Sequence, residues 1–212
     1  MTNQHKTALI IGASGLVGGH LLQQLLEHPA YREVVALVRR PLDLNHPKLR
    51  QEILDFDQPD PDKIQGDELY CALGTTLKKA GSKEVQYRID GVYPYEIGRI
   101  ARQQGVKAYF LVSSVGASAR TSNFYLKTKG ELEEKLKLLG FTKLVIVRPS
   151  FLLGNRTEFR LGEKIGIFLA QLLKPLIPKR YRGVQASDVA AALISAANRN
   201  LEGVLVLENE EI

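Results

Sequence analysis

Tyr125 and Lys129 lie four residues apart in "FYLKTKGELEEKL" (124–136), a segment with the period and composition of a helix. The i, i+4 spacing places phenol and ammonium on one helical face, where both can reach one substrate atom or one cofactor, while Lys127 points elsewhere. A carbonyl reduced by hydride needs a proton on its oxygen. A phenol is a sluggish base but a serviceable acid, and an ammonium beside it favours the phenolate, so one group can work in both directions. Upstream, "FLVSSVGA" (110–117) ends in Ser113 and Ser114. A serine hydroxyl there can hydrogen-bond the carbonyl oxygen as charge develops on it.

A second constellation opens the chain. "TALIIGASGLVGGHLLQQLL" (7–26) runs an apolar strand into a leucine-rich helix through Gly12, Gly15 and Gly18, spaced G-x-x-G-x-x-G. In a mononucleotide-binding unit the first glycine permits the tight turn, the second lets backbone amides approach a pyrophosphate, and the third allows close helix packing. The helix that follows offers its unsatisfied N–H groups and positive dipole end to the phosphates. The expected cradle is therefore Gly12, Ala13, Ser14, Gly15, Leu16, Val17 and Gly18. At the end of the second strand an acidic residue would hold the ribose 2′-hydroxyl of NAD. The chain has Arg39 and Arg40 there, so guanidinium groups await a 2′-phosphate and the expected cofactor is NADP(H).

These residues need a scaffold, and its rhythm is legible. Apolar, mostly β-branched runs at 7–11, 33–38, 51–54, 68–73, 107–112, 143–147 and 203–208 alternate with helical segments at about 15–28, 82–104, 123–139 and 187–199. Continuous apolar strands alternating with helices predict an α/β, doubly wound, mostly parallel Rossmann sheet with helices on both faces. The stretches "RRPLDLNHPK" and "DFDQPDPDK" flanking strand three are too rich in proline and aspartate for helix. The region 150–186 breaks the alternation without a linker. It reads as a small C-terminal insertion completing a substrate pocket within one domain spanning 1–212.

Composition sets the outer bounds. A chain of 212 residues with 44% hydrophobic content can bury one sizeable core without staples. One cysteine, Cys71, excludes an internal disulfide, and His5, His20, His28 and His46 lack metal-ligand spacing. A net charge of +6 admits polyanionic partners, but the basic residues are scattered and accompany no nucleic-acid motif. The apolar core of "GEKIGIFLAQLLKPLIPKRYR" is about fourteen residues, short of the roughly 20 that span a bilayer. The N-terminus, six polar or small residues before "TALIIG", leaves no room for a secretory leader, so a cytosolic protein is expected. Monomer and homodimer both remain open.

Taken in order, the glycine loop, the paired serines and Y-x-x-x-K resemble the short-chain dehydrogenase/reductase superfamily. The likeness extends over roughly 5–200. It is similar to the small atypical branch of Tat-interacting oxidoreductase-like proteins, on "GASGLVGGHL", "CALGTT", "RIDGVYPYEIGRIARQQGVKAYFLVSSVGA", "NFYLKTKGELE" and "VRPSFLLG". The resemblance implies that Ala72, Leu73 and Gly74 run along the adenosine ribose, that Asp55 contacts the adenine amine and that Pro149 passes the nicotinamide. It also implies that Lys129 hydrogen-bonds the nicotinamide ribose. Tyr125 follows Ser114 by only 11 positions, fewer than usual in the family, which leaves the choice between Ser113 and Ser114 open with Ser114 favoured. The implied activity is NADP(H)-dependent oxidoreduction of a small carbonyl or alcohol. Some members of the branch are regulatory binders, so an NADPH-sensing protein with little turnover is the alternative.

Overall fold

The computed structural model describes residues 5–154 and 178–212. Seven strands form the central sheet: β1 (Lys6–Ile11), β2 (Tyr31–Val38), β3 (Leu49–Ile53), β4 (Glu68–Cys71), β5 (Ala108–Val112), β6 (Lys143–Arg148) and β9 (Gly203–Glu208). Their order is β3-β2-β1-β4-β5-β6-β9, and all six pairings are parallel. The chain is thus a doubly wound Rossmann sheet, with the order reversing between β1 and β4.

Because successive strand residues face opposite ways, one apolar run supplies two cores. Ile10, Val34, Ala36, Phe110 and Val145 meet α1 (Leu16–Glu27) and α6 (Ala186–Asn198) on one face. Leu9, Ile11, Val35, Leu69, Leu111 and Ile146 meet α4 (Tyr93–Gln103) and α5 (Phe124–Lys137) on the other. Every one of these strand residues is fully buried, which is why the runs read as continuous rather than alternating.

The crossovers on either side of β3 carry no α-helix, only a 3-10 turn at Pro61–Lys63. The segment expected as one helix over 82–104 is helical throughout but not uniform. It comprises α3 (Lys83–Tyr87), a π turn at Arg88–Val92, and α4, and a short α2 (Leu77–Ala80) precedes it. In the region read as an insertion, β7 (Leu152–Leu153) pairs in parallel with β8 (Val184–Gln185). The apolar run of that region falls largely on 155–177, outside the described residues, as does most of the expected substrate pocket. Among the described residues no helix is long and apolar enough to cross a membrane.

Candidate functional site

The carboxyl ends of β1, β4 and β5 and the start of α1 lie at the point where the strand order reverses, the place where open α/β sheets usually have their ligand crevice. Gly12 has φ +85°, and a Cβ there would lie 2.5 Å from the carbonyl carbon of Ala72. At Gly18 a Cβ would lie 2.0 Å from the Gly12 carbonyl oxygen. Both glycines are obligatory for packing. Gly15 differs: its Cβ position meets only backbone oxygens, at 3.2 Å (Gly12) and 3.9 Å (Ala72), and its outer side is open.

The turn is closed by the Gly15 N–H donating to Gly12 O at 2.9 Å, and the helical ladder begins with Gly19 N–H on Gly15 O at 2.8 Å. The amides of Leu16, Val17 and Gly18 therefore have no i−4 partner. No side chain caps this helix and no acidic residue sits in its first turn, so the positive end is left to a ligand. Ala13 and Val17 turn their side chains into the core, Leu16 is half-buried and Ser14 is exposed. What Ala13 and Val17 can offer a ligand is backbone.

Beyond β2, Arg39 and Arg40 are both exposed, and neither side chain has a hydrogen bond or ion pair among the described residues. Asp55 is exposed just past β3, with Oδ1 accepting the Asp57 N–H at 2.9 Å. At the same corner the Asp57 carboxylate accepts from the Arg88 guanidinium and, at 2.8 Å, from the Tyr93 hydroxyl. Ala72 continues the β4 pairing by donating its N–H to Ile11 O at 2.9 Å; Leu73 is half-buried and Gly74 exposed.

The two serines at the end of β5 are separated by their partners. Ser113 is 4% exposed and gives its hydroxyl to the Glu133 carboxylate. Ser114 is half-buried, and its hydroxyl donates only weakly to Val115 O at 3.3 Å. Asn123 caps α5, its Oδ1 accepting the Leu126 N–H, and Gly130 lets the helix approach the loop at Ser118–Ala119, where a Cβ would clash at 2.2 Å. On that helix Tyr125 is half-buried and its hydroxyl has no hydrogen-bond partner among the described residues. Lys129 is 2% exposed, and its ammonium donates to Leu73 O at 3.3 Å and Val112 O at 3.4 Å. Two of its three protons are thus held by carbonyls and one remains. Pro149 is buried, and its carbonyl accepts the Val115 N–H at 2.9 Å, tying the ends of β5 and β6 together.

Two groups of polar residues escaped the sequence reading. Glu133, 1% exposed, receives Arg148 at 3.1 and 2.5 Å, and Arg148 also reaches Glu208 at 2.9 Å, which Arg180 contacts at 3.3 Å. The paired carboxylates push the Arg148 guanidinium even further up from its ordinary value, Glu133 most of all. The second is Asp90, wholly buried in the π turn. Burial raises its carboxyl above the usual range while the nearby Lys129 charge opposes the rise. A signal for both existed: Asp90 and Glu133 stand where the helical period places core residues, four before Pro94 and four after Lys129.

Comparison with known proteins agrees with this geometry. Residues 12–200 match a family of NAD(P)H-binding domains. The mitochondrial protein FMP52 of Candida albicans is 35% identical over 94% of this chain and 91% of its own length. Protein HTATIP2 of Rattus norvegicus is 37% identical over 76% of this chain and 68% of its own. MoeE5, solved with UDP-glucose and NAD, superposes with TM-score 0.73 at 19% identity, covering 95% of this chain and 75% of that one; this is a likeness of fold. The cytosolic location expected from the N-terminus is corrected here. Relatives aligned over nearly the whole chain, in Candida albicans and Emericella nidulans, are mitochondrial by name, so the polar start of the sequence does not carry that inference. The chain belongs to the NAD(P)H-binding family, as an atypical member of the short-chain dehydrogenase/reductase superfamily.

Proposed function

We propose that the chain is an NADP(H)-dependent oxidoreductase acting on a small carbonyl or alcohol. The observation that carries this reading is Lys129, an ammonium buried between the ends of β4 and β5 with one proton uncommitted, on the same face of α5 as an unpartnered Tyr125 hydroxyl. The turn around Gly15 fits a pyrophosphate, because its open side and free first-turn amides suit an anion that closely approaches backbone. Arg39 and Arg40 hold the 2′-phosphate, which favours NADP(H) over NAD(H). Asp55 receives the adenine amine on its free oxygen, Ala72, Leu73 and Gly74 line the adenosine ribose, and Pro149 borders the nicotinamide.

A bound nicotinamide supplies the hydride. Tyr125 holds the proton at the substrate oxygen, giving it during reduction and taking it during oxidation. Lys129 keeps positive charge beside that phenol and reaches the nicotinamide ribose. Ser114 donates to the same substrate oxygen; Ser113 is spoken for by Glu133. The test is a panel of small aldehydes and ketones with NADPH, followed by loss of the reduced cofactor's near-ultraviolet absorbance. Turnover of any member that disappears in Tyr125→Phe supports the reading, and tight NADPH binding without turnover across the panel would replace it with a cofactor-binding regulator.

A further inference from the structure

Asp90 is used by nothing in the mechanism above, yet it is a carboxylate with 0% exposure in the middle of the molecule. It sits in the π turn of the helix over 83–103, a one-residue widening of the kind that recurs at functional sites. Its Oδ1 accepts the Thr75 N–H at 2.8 Å, and its Oδ2 accepts from Gln86 Nε2 at 3.3 Å. From the other side the Lys129 ammonium donates to Leu73 O at 3.3 Å. The turn Leu73–Gly74–Thr75 is therefore held at one end by a buried cation and at the other by a buried anion, with Gly74 exposed between them.

Neither charge could be buried alone without a large desolvation penalty. The other titratable groups near this pair are the Cys71 thiol from β4 and, four residues before and after Lys129 on its own helix, Tyr125 and the buried Glu133, whose carboxylate is already paired with Arg148. Burial pushes the thiol up, which leaves it neutral. Asp90 is then the anion that balances Lys129 among the described residues.

We infer that Asp90 is a positioning residue acting through Lys129: the two opposite charges form a clamp on the Leu73–Gly74–Thr75 turn and so fix the wall of the dinucleotide cleft. The inference rests on the proposed reading only in taking that turn as the cofactor's border.

The experiment is a double-mutant cycle read by NADPH fluorescence titration. Asp90→Asn retains an acceptor for the Thr75 amide and removes the charge. Introduced into the wild type it should weaken NADPH by about tenfold, and introduced into Lys129→Met by less than about twofold, because the charge it balances is gone. A residue that merely supports the turn would cost the same factor in both backgrounds; equal losses, or no loss in either, overturn the inference. Thermal unfolding of the same four proteins should be non-additive in the same sense, the double variant melting no lower than the worse single, and simple addition would count against the clamp. If the wild type binds no dinucleotide, the functional reading has failed, and the unfolding cycle still decides whether Asp90 and Lys129 act as a pair.

Discussion

Gly15 and Gly18 belong to one loop, yet substituting them should damage different properties. A Cβ at Gly18 lies 2.0 Å from the Gly12 carbonyl oxygen and 2.7 Å from its carbon, both backbone atoms that no rotamer change can move aside. Gly18→Ala must push α1 away from the turn, and overpacking of this kind costs about 1–3 kcal/mol or more. For a chain of this size that corresponds to a fall in Tm of roughly 2–12 °C. At Gly15 the nearest neighbour of a Cβ is the Gly12 carbonyl oxygen at 3.2 Å, a tight contact that a shift of a few tenths of an ångström relieves, so Gly15→Val should still fold and lose less than Gly18→Ala, about 1 kcal/mol or roughly 2–4 °C in Tm. Its side chain occupies the approach of the pyrophosphate instead, and NADPH binding measured by calorimetry should be abolished. Normal binding by Gly15→Val would remove the phosphate-loop assignment, and an unchanged Tm for Gly18→Ala would refute the packing argument.

Replacing both Arg39 and Arg40 by Ala should weaken NADPH by about one to two decades, since charge-assisted hydrogen bonds contribute roughly 1.5–3 kcal/mol, with little change for NADH; equal losses in parallel titrations would refute 2′-phosphate recognition. Tyr125→Phe keeps the ring and removes the proton, so turnover of any accepted carbonyl should fall by about 10²–10⁴ while NADPH still binds, and full activity would unseat Tyr125. Glu133→Gln removes one partner of a buried pair and should cost about 3 kcal/mol in urea unfolding, at the low end for such pairs because Arg148 keeps Glu208. Stability should also fall in alkali. The Cys71 thiol and the Tyr70 and Tyr109 phenols are all raised by burial above ordinary values of 9.0 and 10.0, so their contribution is complete below those values and lost as the unfolded chain ionises first. Urea midpoints that stay level from pH 8 to about pH 11 would contradict this.

What the sequence reveals, and what it hides, follows from the range of the interactions involved. Helices expected at 15–28, 123–139 and 187–199 occur at Leu16–Glu27, Phe124–Lys137 and Ala186–Asn198, because apolar period and caps such as Asn123 are local. The glycine loop, the two arginines and the Tyr–Lys spacing are legible for the same reason. The π turn is not, because the partner its buried Asp90 meets, the amide of Thr75, lies 15 residues away. What distinguishes Ser113 from Ser114 is Glu133, 20 residues on, and Glu133 in turn is held by a strand-end arginine a further 15 along. A charged residue at a core position of a helix announces that a partner exists but not which one.

Polar burial alone would not have located the site either, because both ends of the sheet are polar. At the amino ends of the strands Glu68 is 5% exposed and accepts from Lys6 at 2.5 Å, Tyr31 at 2.7 Å and Tyr70 at 3.0 Å. Tyr31 and Tyr70 also bond each other at 2.7 Å, so that cluster is closed upon itself. At the carboxyl ends the buried members, Asp90, Ser113 and Glu133, are equally well satisfied, but they surround groups that are not: the Tyr125 hydroxyl, the third proton of Lys129, the first-turn amides of α1 and the side chains of Arg39 and Arg40. A fold tolerates such groups only at a surface that water or a ligand can reach, since left buried each would cost about 1–3 kcal/mol. The contrast between a closed polar cluster at one end and an open one at the other assigns the amino end to stability and the carboxyl end to binding.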